Sequence, residues 1–145
     1  MEAANGVLVN YLAILVCGVV SMGLGFLWYG PLFGKTWATL SGISMEKMKE
    51  SKPAEMAKSY GVMFIGSLVM AYVLAHSLIF ASTYLKSSGV SAGLMCGFWN
   101  WLGFVAFVTM SPVLWEKKPI TLWFINGGYY LVQLLVFGVI LATWV

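Results

Sequence analysis

The sequence contains no aspartate and no arginine, and only one histidine and two cysteines in 145 residues. Its charges are lysines and glutamates alone, 9% of the chain, against about a quarter in an average soluble domain. With 61% of residues hydrophobic, there is too little polar side chain to cover a water-soluble globule. These shortages exclude whole classes of chemistry. Carboxylate-rich metal sites, paired-aspartate hydrolases and arginine-clamped phosphate sites have no residues to build them. One histidine supplies at most one metal ligand, and Cys17 and Cys96 lack metal-site spacing. Ser77 follows His76 directly, but neighbouring helix positions diverge by about 100° and form no nucleophile–base pair. No P-loop and no dinucleotide fingerprint occurs. The expectation is a protein that is not an enzyme, holds no metal or other cofactor and binds no nucleic acid.

What is present is apolar sequence in long runs. Four stretches carry no charge: 3–34, 59–85, 87–115 and 119–145. Each exceeds the roughly 20 residues that cross a bilayer core as a helix. A charge at the centre of such a helix costs about 2.5–3.5 kcal/mol, so its absence from all four is what lipid burial selects. The sequence predicts an all-α membrane protein, with four transmembrane helices in one compact bundle at about 7–29, 59–85, 90–113 and 120–144. The first run lacks a basic flank and is longer than a signal-peptide core, which reads as a retained helix. Both cysteines fall inside spans, where a thiol behaves as a small hydrophobe.

Lysines set the expected orientation. Lys35, Lys47, Lys49, Lys52, Lys58, Lys117 and Lys118 lie in the first and third connections, and only Lys86 lies on the other side. By the positive-inside rule, both termini are outside and the loop at about 35–58 is cytoplasmic. Within that loop Ser44 is placed to cap a short helix over 45–50, and Pro53 to open the next helix. Met45, Met48 and Met56 among Lys and Glu suit a helix at headgroup level; a solvated connector fits equally well.

Lipid gives helices little hydrophobic reason to associate, so close backbone approach matters. Small residues recur at four-residue spacing: Gly30 and Gly34; Ser67, Ala71 and Ala75; Gly93 and Gly97; Gly138 and Ala142. They are the expected helix–helix faces. The two halves are also faintly alike. Residues 59–75 align without gaps to 126–142, and Cys17-Gly18 matches Cys96-Gly97. A duplicated helical hairpin would leave such a trace.

Polar residues at membrane depth turn inward, where partners exist. His76, Asn100, Tyr130 and Gln133, with Trp99 or Trp101 beside them, are candidates for one interior site. The competing reading is interhelical glue, at about 0.6 kcal/mol per contact. Trp28, Tyr29, Trp37, Trp115 and Trp123 fall near the cytoplasmic interface, where amphipathic rings belong. Trp99 and Trp101 fall near the bilayer centre and read as packing or as cavity lining.

The run Trp28-Tyr29-Gly30-Pro31-Leu32-Phe33-Gly34-Lys35, followed by Trp37 and Leu40-Ser41-Gly42, is the most distinctive segment. Gly30 and Pro31 would stop the helix, and Trp28, Tyr29 and Trp37 would anchor it. Lys35 would reach the headgroups, and Gly30 and Gly34 would admit another backbone. Together with 66–75, Gly103-Phe104-Val105 and Asn126-Gly127-Gly128-Tyr129-Tyr130, this run resembles the signature of the DUF1761 family, small bacterial integral membrane proteins of unknown function with relatives in some fungi. The resemblance covers nearly the whole chain. It implies a four-helix membrane domain in the bacterial plasma membrane and carries over no catalytic residue. Two functions remain in view. One is an accessory protein whose faces bind the bilayer, a second copy or another membrane protein. The other is a small carrier for an apolar or weakly basic solute, with its site near His76, Asn100 and Gln133.

Overall fold

The computed structural model describes residues 9–144, apart from the side chain of Met45. The expected first-helix start at position 7 and the end of the last charge-free stretch at 145 lie outside the described residues. The protein is all-α, and among the described residues there is no strand. Four helical segments are long and apolar enough to cross a membrane: Tyr11–Leu32, Pro53–Leu85, Gly89–Trp115 and Ile120–Thr143.

The first segment is α1 (Tyr11–Leu27), capped by Asn10, whose side chain accepts from Ala13 N at 3.1 Å. It runs into a π-helical turn at Trp28–Leu32 containing Pro31. Proline lacks an N–H and crowds the carbonyl four residues back, and the wider turn absorbs that defect. Gly30 leaves the helical basin there, at φ −108° and ψ −105°. The chain bends rather than stops, continuing as α2 (Gly34–Ser41). This helix was not anticipated, because Gly30-Pro31 reads as a terminator. Gly42, at φ +73°, ends it, with Ile43 N donating to Ala38 O at 3.0 Å. The expected Ser44 cap is present: its hydroxyl accepts from Lys47 N at 3.2 Å and opens α3 (Met45–Lys49).

α4 (Pro53–Leu85) opens with Pro53 at its first position and spans 33 residues. At 1.5 Å per residue that is about 50 Å, well beyond a hydrocarbon core of about 30 Å. The expected start at 59 marks where the charges end; the helix itself begins earlier, at its proline.

The third span departs most from expectation. A continuous helix at 90–113 is replaced by α5 (Gly89–Trp101), a π-helical turn at Leu102–Ala106, a looser stretch and α6 (Ser111–Trp115). Pro112 sits in the first turn of α6 and withholds a donor from the turn before it. Side chains cover the loosened backbone: Thr109 Oγ1 donates to Val105 O at 2.8 Å, and Trp123 Nε1 to Ala106 O at 2.8 Å.

α7 (Ile120–Thr143) touches α1, α4 and α5 and is the most buried of the four spans. The most extensive packing is within each sequential hairpin, α1 on α4 and α5 on α7. The core gathers Ala13, Cys17, Ala71, Leu74, Cys96 and Phe137. Small residues set the spacing. A methyl at Gly18 would meet Leu68 Cδ2 at 2.6 Å, and one at Gly97 would meet Leu134 O at 2.5 Å. Asn10 Nδ2 donates to Trp144 O at 3.1 Å at one end of the bundle, and Lys118 Nζ to Ser41 O at 3.4 Å at the other. The two lysine-rich connections therefore share an end.

Candidate functional site

The four polar residues expected to share an interior site are distributed over the bundle. Gln133 is 1% exposed, and its Nε2 donates to Ser67 Oγ on α4 at 3.3 Å. Its Oε1 has no donor among the described residues. Asn100 Nδ2 reaches Ser77 Oγ at 3.0 Å and Cys96 O at 2.8 Å. Ser67 and Ser77 are ten residues apart on α4, about 15 Å along its axis, so the two amides do not meet. His76 is half-buried, with its ring 4.4 Å from that of Tyr72 and Nδ1 2.9 Å from the Tyr72 carbonyl of the same helix. It makes no hydrogen bond to Asn100 or Gln133. Tyr130, half-buried, packs against Tyr129 with ring centroids 5.2 Å apart. Trp99 is 60% exposed and lines no interior space, whereas Trp101 donates Nε1 to Gly127 O at 2.8 Å. Sequence reasoning missed Ser67 and Ser77 as partners of the two amides. The available signal was two serines of the same span at membrane depth, Ser67 and Ser77.

The distinctive turn is a docking element as well as an interface belt. Trp28 Nε1 donates to Ile125 O at 2.9 Å, and Tyr29 OH to Asn126 Oδ1 at 2.9 Å. Both tie the turn to the first half of α7. Tyr129 OH returns a bond to Ser21 O at 3.3 Å, and its ring lies 5.2 Å from that of Tyr29. Tyr29 also meets Trp37 edge-on at 5.4 Å, which holds α2 under the turn. Anchoring at the headgroups therefore describes Trp28 and Tyr29 incompletely: both are half-buried and bonded within the protein. Pro31 and Lys35 are exposed.

The two glycines of the turn differ. A Cβ on Gly34 would fall 2.5 Å from Tyr29 O, while nothing lies within 4 Å of one on Gly30. The expectation that both admit another helix's backbone is corrected: Gly34 makes room for the turn's own carbonyl, and Gly30 for the chain's change of direction.

Two concave regions stand out among the described residues. One, of about 480 Å³, lies at the end of the bundle near the termini, with Ser82, Ser87, Ser88 and Asn10 at its polar part and Leu78 and Leu141 among its apolar walls. The other, of about 370 Å³, is an apolar groove between α4 and the third span, lined by Val69, Val73, Phe104 and, from α7, Leu134, with Asn100 as its one polar side chain.

The family model described as "Protein of unknown function (DUF1761)" matches residues 12–142. The match takes in both the turn and the stretch of α7 on which it docks. No curated protein and no solved structure matches the chain. The chain belongs to the DUF1761 family.

Proposed function

We propose that this DUF1761 member is a non-enzymatic interaction protein of the membrane, binding through its lipid-facing surface to a second copy or to another membrane protein. The observation that carries this reading is the contrast between a filled centre and an unfinished exterior. Phe137, Cys17 and Ser21 are fully buried, and Gln133 nearly so. Gln133 and Asn100 are bonded to Ser67 and Ser77 on α4 rather than turned into a common space. On the outside, Asn100 borders an apolar groove and Trp99 stands exposed at membrane depth. The carrier reading needs His76, Asn100 and Gln133 around one cavity, and their hydrogen bonds run to different partners. In this reading the protein sits in the bacterial plasma membrane with the lysine-rich end in the cytoplasm and both termini outside. The support for that orientation is seven lysines against one.

Site-specific photo-crosslinking in native membranes tests the proposal. A photoreactive residue replaces, one at a time, Trp99, Phe26 and Phe80, all exposed on spans. Protein-sized adducts confined to one position support an interaction face. Lipid adducts alone at all three overturn it.

A further inference from the structure

We propose that the partner is a second copy of this chain, joined through the third span, with Trp99 of each copy seated in the other's groove between α4 and that span and its indole N–H donated to the Asn100 amide oxygen there. This rests on the interaction reading above and names its partner.

The argument starts from unpaired polar groups in hydrocarbon. A donor or acceptor left without a partner in the bilayer core is costly, because no water reaches it. Three other indoles of the spans resolve this inside the chain: Trp28, Trp101 and Trp123 donate to the carbonyls of Ile125, Gly127 and Ala106. Trp99 does not. It is 60% exposed, near the middle of its span, and its N–H has no acceptor among the described residues. The next residue has the complementary want. Asn100 spends its Nδ2 on Ser77 and Cys96, and its Oδ1 receives no donor among the described residues while the side chain borders the groove. One helix thus carries an unused donor and an unused acceptor at consecutive positions.

Shape agrees with chemistry. The groove beside Asn100 encloses about 370 Å³ between Val69, Val73, Phe104 and Leu134, enough to admit an indole. Gly103 lies four residues after Trp99 and three after Asn100, in the π-helical turn that follows α5. Nothing lies within 4 Å of a Cβ there, so a second backbone can approach closely. A knob and its hole side by side on one surface are self-complementary. A twofold axis passing near Gly103 lets each Trp99 reach the other copy's Asn100, the reciprocal arrangement of an isologous dimer. A second copy presents the matching donor and acceptor at the same two positions, so one symmetric contact satisfies both groups on both copies.

The test is energy transfer between separately labelled copies of the full chain, each carrying a fluorophore at Lys47→Cys, in phosphatidylcholine vesicles over a range of protein-to-lipid ratios. Transfer should rise with density to a plateau. Trp99→Ala, which removes the knob, and Val73→Trp, which fills the hole, should each move the midpoint at least tenfold towards higher density. Trp99→Phe keeps a ring but loses the donor, and should move it about threefold. Phe26→Ala, on an exposed part of α1, should leave it in place. Positions 73 and 99 are more than half exposed, so the variants should keep the parent's circular dichroism and melting temperature. No transfer at any density, or transfer indifferent to all three variants at positions 73 and 99, overturns the inference. A crosslink from position 99 to a different protein overturns it too but leaves the interaction reading standing, whereas lipid adducts alone remove both.

Discussion

Gly93 of α5 and Gly138 of α7 lie backbone against backbone, so that a Cβ on either would strike the other's carbonyl group. Two apolar helices gain little in lipid from burying hydrophobic surface, and close dispersion contact is what holds them. Gly97 against Leu134 extends the same crossing. Gly138→Val therefore should lower the melting midpoint in detergent by several degrees, from an overpacking cost of at least about 1–3 kcal/mol. Gly66→Val, at an exposed glycine with open space around it, should melt with the parent. Equal behaviour of the two variants would mean that the crossing is not shape-limited.

Gly34 gives a second test of shape against apolar content. Its Cβ position is occupied at 2.5 Å by Tyr29 O, whereas Leu32 is 63% exposed. Gly34→Val should damage thermal stability in detergent more than Leu32→Ala, although it adds hydrophobicity. The reverse order would show that the turn is held by its leucine rather than by its tight backbone.

The bond from Tyr29 to Asn126 links the turn to α7 across 97 residues of sequence. Tyr29→Phe should cost about 1 kcal/mol, the usual net value of such a bond, and should speed proteolysis in the neighbouring α2. Lys35→Gln, at an exposed position in the first turn of α2, should change neither. Unchanged cleavage in Tyr29→Phe would show that the aromatic packing alone docks the turn.

Gln133 and Ser67 allow a test of sign. Ser67→Ala removes the partner and leaves the whole buried amide unpaired, a penalty of about 1–3 kcal/mol. Gln133→Leu removes both the bond and the oxygen that has no donor, so it should cost less than Ser67→Ala despite being the larger chemical change. Chemical denaturation in mixed micelles measures both; a greater loss for Gln133→Leu refutes this account of the pair.

Orientation is open to labelling. With Cys17 and Cys96 buried, single cysteines at Lys47 and Lys86 report sidedness in intact cells. Impermeant maleimide should modify position 86 and spare position 47; the opposite pattern inverts the topology.

Four spans, their order and the small-residue faces at Gly93, Gly97 and Gly138 were legible from charge and spacing, because lipid excludes charge and admits close packing only at small side chains. So were the Ser44 cap and Pro53, whose effects are local. Tertiary structure alone decided how the spans end and what their polar residues do. Proline and glycine announced a break at Gly30-Pro31, yet the chain carries on as α2, because Trp28 and Tyr29 dock on α7 and cover the turn. The break within the third span escaped notice, since its loosened carbonyl is satisfied by Trp123 from another helix. Depth by count put His76, Asn100 and Gln133 within one or two turns of the midplane, yet the serines that the two amides reach lie about 15 Å apart along α4, and depth carries no azimuth. Which way each residue faces follows from how four helices rotate against one another, and that rotation is set by contacts such as Gly93 on Gly138 between residues far apart in the chain.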